Sequence, residues 1–208
     1  VFSRLAARSP HLARIRERIE FVRYFFPELE GVTIKVGLAL KPGVLGWGSL
    51  DPERPGIWIR PRRLDYFTIA HELTHLLQAR QLVPRGERAC DLWALARSPL
   101  VVDTAPGYLA LPGRLRGGKV APETGAHLCE AARRAIAARE AGDRRYLANF
   151  EKEITARFGG PAPGLRLPVA TQTSKRARKA VPKAASTDPN PPLGFFDRVR
   201  RLLGGAGA

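Results

Sequence analysis

The chain predicts an α+β fold: a small sheet packed on one central helix, then a helical pair, then a polar tail. Three features carry that prediction. Short β-branched or aromatic runs, separated by Pro- and Gly-containing turns, occupy residues 32–60. Apolar residues recur at helical spacing on both sides of that region. After Val169 almost no large apolar group remains before residue 193, so that stretch cannot bury enough surface to offset the entropy of ordering it.

The elements follow in order. Ser9-Pro10 is a helix-start signal, and Leu12, Ile15, Ile19, Val22 and Phe26 fall on one helical face before Pro27 stops the helix. His11 sits in the first turn, at the surface. Residues 32–40 read as a strand. Lys41-Pro42-Gly43 turns the chain, and 45–50 forms a second short strand, with Gly46 and Gly48 around Trp47. The turn Asp51 to Gly56 leads to a third strand, Ile57-Trp58-Ile59, ending at Pro61. A helix over about 63–82 is broken by Pro84 and Gly86, and Glu87 opens the next, which Ser98-Pro99 closes.

The connection 99–122 holds two apolar pieces, Leu100-Val101-Val102 and Gly107 to Leu111, that can lie over a cleft. Tyr108 within it reads first as a structural aromatic and second as a donor to a transition-state oxyanion. Helices follow over 124–141 and 143–158, with Gly142 between them. Ala131, Ala135 and Ile136 face inward in the first; Tyr146, Phe150, Ile154 and Phe158 repeat in the second. Gly159-Gly160-Pro161-Ala162-Pro163-Gly164 ends the folded domain. The division is therefore a domain over 1–160, a disordered basic linker over 161–192 and a short amphipathic helix over 193–208.

Net charge is +16 at pH 7, and residues 161–208 alone hold nine basic and two acidic residues. Such a balance favours acidic partners: nucleic acid, an anionic membrane surface or an acidic protein. Lys175-Arg176-Ala177-Arg178-Lys179 would attract phosphates without sequence preference, although a solvated linker reads the same way. Phe195, Phe196, Val199, Leu202 and Leu203 share a helical face suited to a partner, a membrane surface or the domain itself. No run of about eighteen apolar residues exists, and arginines interrupt the N-terminal stretch, so an intracellular, cytoplasmic protein is expected. Two cysteines, Cys90 and Cys129, make no disulfide framework and are expected to pack as small apolar residues.

The chemistry concentrates in His71-Glu72-Leu73-Thr74-His75. On a helix, residues four apart leave the same face, so both imidazoles reach one metal ion. Glu72 sits beside them, placed to take a proton from a metal-bound water. The H-E-x-x-H pattern arises by chance in roughly one chain of this length in a few hundred. Two surface histidines would give it too, but Ile69, Leu73, Leu76 and Leu77 make the opposite side apolar and the helix a packed one. A catalytic zinc wants three protein ligands and one open position. Glu87 and Asp91, again four apart, face one way on the next helix. Glu87 can supply the third ligand, and Asp91 can orient a histidine; an ordinary solvated face would read alike.

H-E-x-x-H followed by E-x-x-x-D resembles the gluzincin pattern of zinc metallopeptidases. Phe67-Thr68-Ile69-Ala70-His71-Glu72-Leu73-Thr74-His75-Leu76-Leu77 resembles more closely the F-T-x-A-H-E-x-x-H-x-L run of ImmA/IrrE-type metallopeptidases. Glu87, Asp91, Trp93 and Ala94 match in kind the E-x-x-A-N-x-F-A helix of that family. The resemblance covers about residues 45–97. It implies a zincin-like domain, zinc held by His71, His75 and Glu87, and Glu72 as catalytic base. It also implies that strand 56–60 is a sheet edge pairing with extended substrate. The interval from His75 to Glu87 is short for gluzincins, and Cys90 stands where Ala is usual. Asp91, or His127 by analogy with the third histidine of some SprT-like metalloproteases, stays open as the third ligand.

The function expected is hydrolysis of peptide bonds in a protein or peptide substrate by a zinc-bound water, with Glu72 as general base. A non-catalytic regulatory or nucleic-acid-binding zincin-fold protein, or a SprT-like protease held at DNA by its tail, is the alternative.

Overall fold

The computed structural model describes residues 1–40, 46–62 and 64–159, and the chain there is mixed α+β. The linker expected over 161–192 and the helix expected over 193–208 lie outside the described residues. A single-turn helix, α1 (Arg4–Ala7), opens the fold; the Ser3 hydroxyl caps it by accepting the Ala6 N–H at 3.2 Å. Helix α2 (Leu12–Arg23) starts later than the Ser9-Pro10 signal suggests. The Ser9 hydroxyl instead accepts the His11 N–H, which holds a turn ahead of the helix. It also ends at Arg23, whose guanidinium bonds the carbonyls of Leu29 and Val32, each at 3.0 Å, and ties down the 3-10 turn Pro27–Leu29.

Three strands follow: β1 (Lys35–Leu38), β2 (Gly46–Gly48) and β3 (Gly56–Ile59). Their order is β1-β3-β2, with β1 and β3 parallel and β2 antiparallel to β3. This corrects the expectation for 56–60: β3 is the central strand, not an edge. Its backbone pairs with β1 on one side and β2 on the other, so it has no free edge, and its Ile57 and Ile59 are covered in the core. Residues 1–3 cover the far side of β1, with Ser3 N–H on the Val36 carbonyl and Val36 N–H on that of Val1, both 2.8 Å. Among the described residues, the edge without a pairing strand is that of β2.

Facing pairs set the sheet's outer surface. Trp47 and Trp58 sit opposite one another in the β2–β3 register, with rings parallel and centroids 3.6 Å apart. Trp58 lies over Gly37 and Gly56, where a Cβ would leave it no room.

Helix α3 (Tyr66–Ala79) runs through the middle of the domain, against α2, β2, β3 and the next helix, α4 (Glu87–Arg97). Its start is capped from a distance. The Asp103 carboxylate accepts the N–H groups of Tyr66 and Phe67, at 2.9 and 3.0 Å, where Asp65 makes no capping bond. Arg18 reaches the Leu64 carbonyl just before it. At its other end Gln81 takes a left-handed backbone, φ 61°, while Leu82 N–H bonds the Leu77 carbonyl and Gln81 N–H that of Gln78. Helices α5 (Pro122–Glu140) and α6 (Tyr146–Phe158) then pack as a pair, α5 also covering α4.

One apolar core joins Ile15, Ile19 and Val22 of α2, Ile57 and Ile59 of β3, Ile69, Leu73, Leu76 and Leu77 of α3, and Leu92 and Leu95 of α4. Leu128 and Ala132 of α5 and Phe150 and Ile154 of α6 extend it. Ala131 and Ala135 face inward as their spacing predicts, while Ile136, Tyr146 and Phe158 pack at its margin. No helix among the described residues is long and apolar enough to cross a membrane.

Candidate metal centre

Helix α3 is buried nearly all round. Its polar residues are as covered as its apolar ones: His71 is 8 % exposed, Glu72 5 %, His75 4 % and Gln78 2 %. Thr74, also buried, bonds the Ala70 carbonyl of its own helix at 2.8 Å, but burying the other four is costly unless each is paired. Three of them are paired with groups from α4 and the loop before it.

The His71 Nδ1–H donates to Asp91 Oδ1 at 2.7 Å, and Asp91 Oδ2 accepts the Tyr108 N–H at 2.7 Å. A carboxylate can only accept, so Nδ1 of His71 keeps its proton and Nε2 is the nitrogen left to ligate when the ring is neutral. His75 is oriented differently. Its Nδ1 meets Gln78 Oε1 at 2.8 Å. The Gln78 amide is fixed by two carbonyls, because its Nε2 donates to Pro84 at 2.6 Å and to Gly86 at 3.0 Å. Oε1 must then accept from His75 Nδ1–H, which again makes Nε2 the nitrogen left to ligate when the ring is neutral.

These two nitrogens converge. His71 Nε2 and His75 Nε2 are 3.1 Å apart, and Glu87 Oε2 lies 3.1 Å from the first and 3.4 Å from the second. Zinc bonds of about 2.0–2.2 Å at tetrahedral angles put ligand atoms about 3.3 Å apart. The three donors thus form a triangle of the size one face of such a tetrahedron requires, so the residues fit a zinc ion.

The electrostatics agree. Burial alone would lower the basicity of both imidazoles. For His71 the Cys90 and Asp91 side chains more than reverse this, and for His75 those of Cys90 and Glu87 raise it to about 10. Burial would raise the Glu87 carboxyl, but hydrogen bonds from the two imidazoles bring it down to about 2. With raised imidazoles and a lowered carboxyl, protons on the imidazoles serve as the counter-charge to Glu87; a metal cation binding there would replace those protons.

Glu72 differs from its neighbours. Burial pushes its carboxyl up to about 7, with the nearby imidazoles pulling the other way. Its Oε2 is covered and has no hydrogen-bond partner among the described residues. Strand β2 presses its backbone against it. A Cβ on Gly46 would stand 2.7 Å from Glu72 Oε1, and one on Gly48 would stand 2.5 Å from the Glu72 carbonyl and 2.8 Å from His75 Cβ. Only glycine at both positions lets the free sheet edge approach the carboxylate this closely.

His71, Glu72, His75, Glu87 and Asp91 are therefore brought together. His127 is not among them. Its Nδ1 bonds the Glu123 carbonyl at 2.9 Å and its ring packs edge-on to Phe158, so the possibility of its being the third donor is set aside. Asp91 spends both oxygens elsewhere, which also removes it as a donor.

Sequence reasoning missed two participants and ranked a third low. Gln78 stands one turn beyond His75, a spacing that could have suggested it. Cys90 stands one turn beyond Glu87 and faces the same way: its thiol donates to the His71 carbonyl at 3.1 Å, and ligand atoms of His71, His75 and Cys90 lie within 4.8 Å of one another. It does pack as a buried residue, but against the imidazoles. Tyr108 stacks on the His71 ring at 5.6 Å and 18° and stays more than half exposed at the mouth of the site. The sequence placed it in a connection that could cover the cleft, but read it first as a structural aromatic.

Compared with protein-family models, with curated proteins and with solved structures, the chain matches none.

Proposed function

We propose that this chain is a zinc-dependent, zincin-like peptidase, akin to the ImmA/IrrE type, with zinc held by His71, His75 and Glu87. The observation that carries the reading is the triangle of donor atoms, 3.1–3.4 Å on a side, beside a buried carboxylate whose Oε2 lacks a partner among the described residues. When bound, zinc supplies a Lewis acid that polarises a carbonyl and lowers the pKa of water toward about 7.

The chain's own residues do the rest. Glu72 accepts the proton of the attacking water and passes it to the leaving amine nitrogen, so that a neutral amine departs. Asp91 and Gln78 hold the histidine tautomers that keep both Nε2 lone pairs facing inward. The outer edge of β2 offers unpaired backbone groups to an extended peptide, and Gly46 and Gly48 bring that edge against Glu72. β2 takes over here the role expected of 56–60.

The test joins metal analysis of the purified protein to a peptide-cleavage assay with and without chelator. Cleavage that tracks zinc, and that falls by about 10²–10⁴ in Glu72→Gln with zinc retained, is the expected outcome. A Glu72→Gln protein that cuts at the wild-type rate removes Glu72 from the chemistry. Zinc bound without any cleavage would leave a regulatory or binding protein built on a metal site.

A further inference from the structure

Cys90 has a role open to it that the reading above does not use. Helix α4 places Glu87, Cys90 and Asp91 on one face, toward the imidazoles of α3. Glu87 contributes a donor atom and Asp91 orients one. Cys90, wholly buried between them, has its sulfur beside both histidines: its Sγ and the ligand nitrogens of His71 and His75 lie within 4.8 Å of one another. A cysteine serving only to fill space gains nothing from two imidazoles, and Cys129 shows the contrast. That thiol sits on α5 against the Ala96 carbonyl, 3.7 Å away, outside the metal-sized group of donor atoms that holds Cys90 and the imidazoles.

We propose that Cys90 is a fourth metal donor, completing a two-histidine, one-carboxylate, one-thiolate sphere around the cation. This rests on the reading of His71, His75 and Glu87 as metal ligands. The thiol proton leaves to solvent as the sulfur–metal bond forms, and no other bond or electron count changes. The Sγ–H bond to the His71 carbonyl is given up in the same movement. Two consequences distinguish this sphere from one without sulfur. It selects thiophilic cations, zinc and cadmium, over hard oxygen-seeking ones such as magnesium. It also occupies the position that a water needs, so the thiolate-bound form is a resting form and hydrolysis requires Cys90 to let go.

The test is the electronic spectrum of the full chain loaded with cobalt(II) in place of zinc. A thiolate-to-cobalt charge-transfer band in the near ultraviolet is expected in the wild type. It should persist in Cys129→Ala and vanish in Cys90→Ala, whose visible cobalt bands remain. The chain has two cysteines, so the wild type and Cys129→Ala together assign the band even if Cys90→Ala does not fold. Visible cobalt bands without the charge-transfer band overturn the role of Cys90 and leave the other three donors standing. A wild-type chain that takes up no cobalt or zinc overturns the metal centre itself, and this proposal with it.

Discussion

The two faces of α3 are buried alike and held by different means. On one face Ile69, Leu73, Leu76 and Leu77 meet other apolar side chains, and contact with them is all they need. On the other, His71, His75 and Gln78 are satisfied only by specific partners at specific atoms, and Glu72 keeps one oxygen unsatisfied. The apolar face tolerates change in proportion to volume. The polar face responds to the identity of single atoms. On the proposed reading, stability belongs chiefly to the first and chemistry to the second.

Breaking that division is the sharpest test of it. Glu72→Gln should give the largest effect, the activity loss of about 10²–10⁴ stated above. Thermal unfolding at neutral pH should show no loss of stability, because a buried charge with a partnerless oxygen is removed. Leu73→Ala should do the opposite. It opens a hole in a fully covered position and should cost about 2–5 kcal/mol in denaturant unfolding, while the protein that remains folded binds zinc as before. Equal damage to activity and stability in either variant would erase the distinction between the faces.

Within the polar face, the two histidines can be compared through their supports. Asp91→Asn and Gln78→Ala should each weaken zinc binding by about 10–100-fold, read by competition with a chelating dye. Gln78→Ala should also loosen the 84–86 loop, since two of its carbonyls lose their donor.

The smallest expected effect lies away from the site. Glu28 joins Arg97 at 2.7 Å, and although burial works against it, the guanidinium holds its carboxyl below the usual carboxylate range. A lowered folded-state value stabilises above the ordinary carboxylate range, and that contribution is lost as pH falls through the folded value. Glu28→Gln should therefore be less stable than wild type near neutrality, by less than about 1 kcal/mol because the pair is partly exposed. The gap should close in acid, measured as urea midpoints across pH.

Much of this was legible in the sequence, for reasons that differ by element. His71 and His75 within α3, and Glu87 and Asp91 within α4, rest on spacings inside a single helix, which the backbone fixes locally; that the two helices face one another was expected only from the family resemblance. The periodicity of α5 and α6 is equally local. Strand order was not legible, because it depends on which strand the chain lays between the others after the Asp51–Gly56 turn. The same holds for the Asp103 cap, which acts on α3 from more than thirty residues away. Cys90 was misjudged in part, since its residue type says buried whether its neighbours are methyl groups or imidazoles.

Asp103 has one more consequence. The loop that follows α4 is fastened at two points: its Asp103 side chain to the first amides of α3, and its Tyr108 amide to the carboxylate that steadies His71. A cation pulling on His71 therefore pulls on both ends of one strap. Filling the site should slow deuterium uptake at the amides of Tyr66, Phe67 and Tyr108 together, and emptying it should release all three at once.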